Sequence, residues 1–422
     1  MRYLKQASPP APAATEQVRR TVSEILLDVE RDGLAAVRRW SQQLDGWAPE
    51  NFRVSAGEIA AAEAATPAAL REQLQFALDQ VRGFAERQRA TLLDLEAETL
   101  PGVVLGHRHI PVGAVGSYSP GGRYPLIASS LMTVAVPKVA GVPRVVACAP
   151  PREARGIHPP QLYAMAISGA DEIFCFGGVQ ALAALAFGVD GLEPVDMIVG
   201  AGNAYVAEAK RQLFGTVGID LLAGPTEVLV IADETADPEL VATDLLGQAE
   251  HGPNSPAILV TDSEAFGAAA IAAVERQLVD WPTADVAGVA WREVGEVVVC
   301  EDREQMASVS DRYAPEHLEL QTRDDAWFEQ RLRNYGSLFV GEQATVAYGD
   351  KAIGVNHVLP TSGAARYTGG LWVGKFLKTC TYQRLTDEGT RRVAPATAAI
   401  CEAELMLGHA LTATRRLERL DG

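Results

Sequence analysis

The sequence predicts an α/β protein with more than one parallel sheet, and three observations carry that prediction. Short apolar runs rich in Val, Ile and Leu recur from residue 145 to residue 300, alanine-rich helical segments lie between several of them, and glycine clusters punctuate their ends. Strand alternating with helix means parallel strands covered on both faces. The number of runs points to two sheets rather than one.

In chain order, Ser8-Pro9-Pro10-Ala11-Pro12-Ala13-Ala14 reads as a flexible or extended lead-in, because repeated proline cannot start a helix. Val18 to Leu44 and Ile59 to Leu95 carry apolar residues at three- and four-residue spacing among Arg, Glu and Gln, the mark of long amphipathic helices. Val145–Cys148, Ile173–Phe176, Met197–Val199, Val228–Ile231, Ile258–Val260 and Val297–Cys300 each read as a buried strand. Pro160 to Ile167 and Val179 to Phe187 read as helices between them. Alternation in His317-Leu318-Glu319-Leu320 starts a further strand at or just after Glu316, and Ala394 to Leu420 reads as a terminal helix.

The chain of 422 residues exceeds one ordinary core, so at least two domains are expected. Hydrophobic residues at 48% with charged residues at 22% describe a globular protein rather than a disordered one. A net charge of −17 with no basic stripe argues against nucleic acid or an anionic membrane as partner. The five cysteines, Cys148, Cys175, Cys300, Cys380 and Cys401, lie far apart without a C-x-x-C pair, so a reducing, cytoplasmic setting is expected. Neither a signal core nor an apolar run of membrane-spanning length is visible.

The polar residues define candidate chemistry. Glycine follows strand ends at Ser119-Pro120-Gly121-Gly122-Arg123, Phe176-Gly177-Gly178, Gly200-Ala201-Gly202-Asn203 and Ala223-Gly224-Pro225-Thr226. Each alone is a tight turn as readily as a cofactor loop, but four in succession favour a nucleotide-sized cleft. In Asp244–Pro253, Gln248 and His251 sit three apart on one helix face and can aim at one point. Taken alone this pair reads as a polar helix end as well as a metal site, since an amide is an unusual zinc ligand. Glu316 and His317 are adjacent at a strand mouth, a pairing that is also compatible with surface coincidence. Glu404 and His409, five apart on one helix, would lie about 140° around its axis from each other and could not clasp the same atom.

Taken together, these residues resemble the histidinol dehydrogenase family from about residue 15 to the C-terminus. The most specific agreements are Gly177–Gln180, Gly202–Val206, Ala223–Asp233, Gln248–Pro253, Pro315–Leu318 and Asn356–Thr361. The resemblance implies two incomplete Rossmann-like domains with parallel sheets and helical terminal segments exchanged in a homodimer. It divides the chain into a leader over 1–15, a main domain over 16–117 and 227–370, a second domain on the NAD side over 118–226, and a C-terminal segment over 371–422 that reaches the partner subunit. It also implies one zinc ion per subunit, held by Gln248, His251, Asp350 and, from the other subunit, His409. Glu316 and His317 become the acid-base pair, Tyr118, Gln180 and Asn203 contacts to NAD, and Thr226, His357 and Glu404 substrate contacts beside the zinc ligands and His317.

The implied reaction takes a primary alcohol to a carboxylate through a held aldehyde, with two hydride transfers to NAD. Thr226 stands where the family usually has Ser, and Arg123 follows Pro-Gly-Gly where histidine-pathway members usually carry a small residue. With Gly106–Val112 and Tyr367–Phe376, these make the chain resemble the sulfopropanediol dehydrogenase branch, which oxidises 2,3-dihydroxypropane-1-sulfonate to sulfolactate. An anionic sulfonate calls for Arg or Lys, which makes Arg123 a candidate anchor. Glu404 is the counterweight, since a carboxylate suits the cationic groups of histidinol, the alternative substrate. A non-catalytic small-ligand-binding paralogue would have lost a zinc ligand or the Glu-His pair, and neither is lost.

Overall fold

The computed structural model describes residues 1–8, 14–121 and 124–421. Two parallel sheets dominate it, each threaded by helices. The first has five strands in the spatial order Glu172–Cys175, Arg144–Ala149, Ala114–Tyr118, Met197–Val199, Gly218–Ile219, all parallel. Numbered by chain position within the sheet, that is 3-2-1-4-5, the order of a doubly wound dinucleotide fold lacking its sixth strand. The second sheet repeats this order with Gly295–Val299, Ala257–Thr261, Val228–Ala232, His317–Gln321 and Ser337–Val340. The mixed α/β architecture expected from alternating strand and helix is therefore present, and its apolar runs are buried because both faces of each sheet are covered.

Four apolar clusters fill the space between sheets and helices. On one face of the five-stranded sheet, Leu74, Leu78 and Val81 of helix Ala68–Ala90 meet Leu131 and Val134 of helix Ile127–Ala140. On its other face Val22, Ile25 and Val29 of helix Ala14–Asp32 meet Leu182 and Leu185 of helix Gly178–Phe187. The N-terminal helices thus pack on the 118–226 unit, whereas the resemblance groups them with 227–370.

Three further expectations change. Residues Arg2–Lys5, expected inside a flexible leader, form an antiparallel edge strand on Gly295–Val299, fixed by Leu4 in the core and by the Lys5 ammonium donating to the Gly295 carbonyl at 2.7 Å. The rest of the proline-rich lead-in falls largely outside the described residues. Leu371, Val373 and Phe376, expected in a segment reaching a partner, are buried in the core of the five-stranded sheet. The terminal helix is two helices, Asp387–Ala403 and Leu407–Asp421, broken where Leu405 takes φ of 60°. A third sheet, antiparallel, pairs Leu377–Leu385, Val103–Pro111 and Leu95–Leu100 and is largely exposed. Among the described residues no helix is long and apolar enough to cross a membrane.

Candidate active site

The carboxyl edge of the five-stranded sheet faces the amino-terminal mouth of the six-stranded one. Ser129, in the first turn of helix Ile127–Ala140, shares a 2.6 Å hydrogen bond with His357 Nε2, and the Gly224 amide donates to Thr361 Oγ1 at 2.6 Å. The site lies along this seam.

Parallel register sets His317 opposite Val228, so the residues just before each strand become neighbours. Thr226 and Glu227 therefore abut Glu316 and His317. The Thr226 hydroxyl donates to Glu316 Oε2 at 2.5 Å, the Glu227 amide donates to the same oxygen at 3.0 Å, and Gln248 Nε2 donates to Thr226 Oγ1 at 2.5 Å. Helix Pro238–Ala249, capped by Asp237 at its start, delivers Gln248 in its last turn, and His251 follows just beyond the end. Asp350 comes from the short helix Val346–Lys351. Glu316, His317, Gln248 and Asp350 are each no more than 5% exposed.

The hydrogen-bond pattern fixes the imidazole of His317. Its Nδ1 lies 2.9 Å from the Glu227 carbonyl, which can only accept, so Nδ1 carries the proton and Nε2 holds the lone pair in the neutral ring. The 3.3 Å approach of Gln248 Nε2 to Nδ1 is then between two donors, and the Gln248 amide is satisfied at Thr226 instead. His317 Nε2 has no hydrogen-bond partner among the described residues, and Asp350 Oδ1 stands 3.6 Å away, an electrostatic contact too long for a hydrogen bond.

Burial pushes the Glu316 carboxyl up to about 7 against the pull of His317 and the Thr226 hydroxyl. Burial would lower His317, but Glu316 and then Asp350 outweigh it and raise the ring to about 9. For Asp350 burial is likewise overcome: contact with His317 and the charge of His357 hold it well below the usual carboxylate range. Burial pushes His251 down, and His357 down to about 4, leaving both rings neutral near pH 7. The site therefore offers an ionised carboxylate, two neutral imidazoles and an amide whose Nε2 is already engaged, so that its oxygen is the free donor. These nitrogen and oxygen donors suit a divalent ion such as zinc. Among the described residues no three His, Cys, Asp or Glu side chains meet as a cage within one chain. Gln248, His251 and Asp350 leave room for a donor from elsewhere.

The other sequence-predicted residues fall in two places. Tyr118 and Gln180 lie beneath the Gly177-Gly178 turn: the buried Tyr118 hydroxyl accepts from the Gly178 amide at 3.3 Å, and Gln180 donates to Asp45 Oδ2 at 3.0 Å. Asn203 Oδ1 caps helix Ala204–Leu213 by accepting from the Tyr205 and Val206 amides. Tyr118 and Asn203 stand where the strand order reverses, between Ala114–Tyr118 and Met197–Val199, and Gln180 lies in the first turn of the helix that follows the edge strand Glu172–Cys175. Glu404 and His409 are exposed near the break between the terminal helices, and no hydrogen bond or ion pair joins either to Gln248, His251 or Asp350 among the described residues. Arg123 lies outside the described residues.

Sequence reasoning missed four contributors: Glu227, Ser129, and the buried pair Lys210 and Asp220. Lys210 Nζ donates to the Gly200 carbonyl at 2.9 Å and pairs with Asp220, whose Oδ2 accepts from the Gly200 amide at 2.7 Å. Gly200 has φ of 123°, and a Cβ there would sit 2.0 Å from the Tyr118 carbonyl, so only glycine lets this loop close on the strand. A lysine at 2% exposure in an otherwise amphipathic helix is visible only in three dimensions.

The sequence profile of the histidinol dehydrogenase family matches residues 10–417. The chain belongs to this family. It is 52% identical over 403 residues to a histidinol dehydrogenase homolog of Shouchella clausii, covering 96% of this chain and 95% of that one. It is 51% identical over 419 residues to sulfopropanediol 3-dehydrogenase of Ruegeria pomeroyi, covering 99% and 96%. The crystal structure of histidinol dehydrogenase from Elizabethkingia anophelis superposes with a TM-score of 0.93 at 34% identity, over 99% of this chain and 95% of that one. As a histidinol dehydrogenase family member the protein is an NAD-dependent alcohol dehydrogenase acting on a small molecule, with a two-step oxidation of alcohol to acid. The family is NAD- and zinc-dependent.

Proposed function

We propose that this protein oxidises 2,3-dihydroxypropane-1-sulfonate to sulfolactate, with L-histidinol to L-histidine as the alternative. Supporting this reading is the network joining Gln248, Thr226, Glu316 and His317, with Asp350 3.6 Å beyond. The 51% identity to a sulfopropanediol 3-dehydrogenase favours the sulfonate, whereas Glu404 favours a cationic substrate.

In its form deprotonated at Nε2, His317 takes the alcohol proton there as hydride leaves the carbon for NAD. Its Nδ1 stays anchored on Glu227, which keeps the lone pair aimed at one place. Glu316, adjacent and held by Thr226, accepts a proton from the water that attacks the aldehyde while His317 returns its proton to the aldehyde oxygen, and the imidazole, neutral again, then takes the hydrate's proton for the second hydride transfer. Gln248, His251 and Asp350, completed by His409 from a second copy in a homodimer, would hold one zinc ion per subunit. When bound, zinc supplies a fixed positive charge that orients the substrate oxygen.

NAD would lie over the carboxyl edge of the five-stranded sheet, at Tyr118, Gln180 and Asn203. Two things support that side. Strand order reverses there, and helix N-termini at Gly178 and Ala204 favour a pyrophosphate. The equivalent edge of the six-stranded sheet is lined by Asp233, Glu234, Asp262, Glu264 and Asp324 against only Arg303 and Arg323, an acidic excess that disfavours one. Steady-state assays of zinc-loaded protein with both alcohols test the proposal. Activity on histidinol alone ends the sulfonate reading.

A further inference from the structure

We infer that Lys351 selects an anionic substrate, its ammonium taking the acid group that a short diol carries away from the reacting carbon. This rests on the sulfonate reading above and goes beyond it by naming the residue that enforces the charge.

Lys351 ends the short helix that carries Asp350. Its Nζ stands 3.7 Å from Asp350 Oδ2, beyond hydrogen-bond reach, and it makes no hydrogen bond among the described residues. The side chain is 54% exposed. An ammonium that is neither hydrogen-bonded nor buried is free to turn toward a ligand. Its charge nevertheless acts within the site, for it bears on His251, Asp350 and His357 together.

The surrounding carboxyl groups favour such a cation. Glu227, Glu316 and Asp350 crowd the same mouth as carboxyl groups. Burial raises Glu227 and Glu316, so they carry part of a charge, while Asp350 is ionised; an anion approaching them is repelled, and a divalent ion bound at Asp350 is offset in part. Lys351 supplies a fixed positive charge on the open side. A lysine is a compact charge on a flexible stem and does not demand a forked partner, so it accepts a sulfonate at a range of angles. Selection arises because a neutral diol gains nothing from it.

The test compares zinc-loaded wild type, Lys351→Met and Arg123→Met, each with equal zinc content by metal analysis. The substrates are 2,3-dihydroxypropane-1-sulfonate and the uncharged propane-1,2-diol. In Lys351→Met the KM for the sulfonate should rise by about ten- to hundredfold, the loss of one charge-assisted hydrogen bond, while kcat moves much less. The preference for sulfonate over neutral diol should collapse, and added salt should weaken sulfonate binding in wild type more than in the variant. A wild type active on the sulfonate with an unchanged preference in Lys351→Met would overturn the assignment alone, as would a collapse seen only in Arg123→Met. A wild type that oxidises histidinol and not the sulfonate would remove the substrate reading and this assignment with it.

Discussion

Replacing Thr226 by Val tests the link between the candidate metal ligand and the candidate acid-base pair. The hydroxyl donates to Glu316 and accepts from Gln248, both at 2.5 Å, and Val keeps the branched shape while removing both bonds. A bond to a charged group contributes about 1.5–3 kcal/mol, and stranding a buried amide donor costs about 1–3 kcal/mol. His317 Nδ1 carries a proton and offers Gln248 no alternative acceptor, so the two losses together should lower stability by about 2.5–6 kcal/mol. The second effect is on Glu316. Its carboxyl, near 7 with the Thr226 hydroxyl lowering it, must rise when that donor is removed. One unit of rise, equivalent to about 1.4 kcal/mol, would cut the ionised fraction at pH 7 from about one-half to about one-tenth. Thermal unfolding reads the first effect, and NADH formation from the aldehyde between pH 6 and 9.5 reads the second. Aldehyde oxidation should fall at pH 7 and recover toward pH 9, while Thr226→Ser should behave as wild type. A Thr226→Val protein with unaltered melting temperature and unaltered pH profile would refute the reasoning.

His317→Asn should depress the first hydride step by about 10²–10⁴-fold, and Glu316→Gln should slow aldehyde oxidation preferentially; equal NADH production by both variants and wild type would remove these roles. In metal-free protein the His317 ring should titrate near about 9, and zinc should move that midpoint down by drawing on Asp350, as NMR of the imidazole protons would report. Burial and then Asp244 hold the Glu319 carboxyl protonated in the fold well above 4.5, so the native state binds the extra proton and stability falls as pH rises from about 4.5 through the raised value. Glu319→Gln should flatten that limb in melts taken across pH. Lys210→Met strands a buried Asp220 and should cost about 3–5 kcal/mol, whereas Lys210→Met/Asp220→Asn should restore stability yet raise the KM for NAD, separating support of the Gly200 loop from support of the fold.

What could be read from the chain follows from periodicity. Val228–Ile231 and Ile258–Val260 are legible because a strand covered on both faces has to be a continuous apolar run, and Gly200 because its loop tolerates no side chain. Arg2–Lys5 was not legible, since an edge strand of four residues with two cations carries no pattern of its own; only its neighbour Gly295–Val299 makes it a strand. The break at Leu405 was hidden for a similar reason, because alanine-rich sequence continues on both sides of it. At the site, Gln248 and His251 share a visible spacing, but nothing local to Thr226 says that its hydroxyl bonds residues 22 and 90 positions away. Those contacts come from strand register. The packing partner of the N-terminal helices is illegible on the same ground: an amphipathic stripe announces that it needs a partner without naming which.

The two sheets share one strand order, yet the proposed chemistry uses their opposite ends, and the charges account for the asymmetry. Doubly wound sheets ordinarily bind ligands outside the carboxyl ends of their strands. The five-stranded sheet keeps that arrangement, with glycine turns and helix N-termini at the reversal beside Tyr118 and Gly200. The six-stranded sheet has Asp233, Glu234 and Asp262 at its carboxyl ends and Glu316 with His317 at the amino-terminal mouth. Hydride transfer requires nicotinamide and base to share one small, dry space, and two carboxyl edges on separate sheets would each need a cofactor or substrate of their own. Setting one sheet's carboxyl edge against the other's amino edge, stitched by Ser129 to His357 and by Gly224 to Thr361, would bring the proposed cofactor side and the proposed proton-accepting side to a single seam.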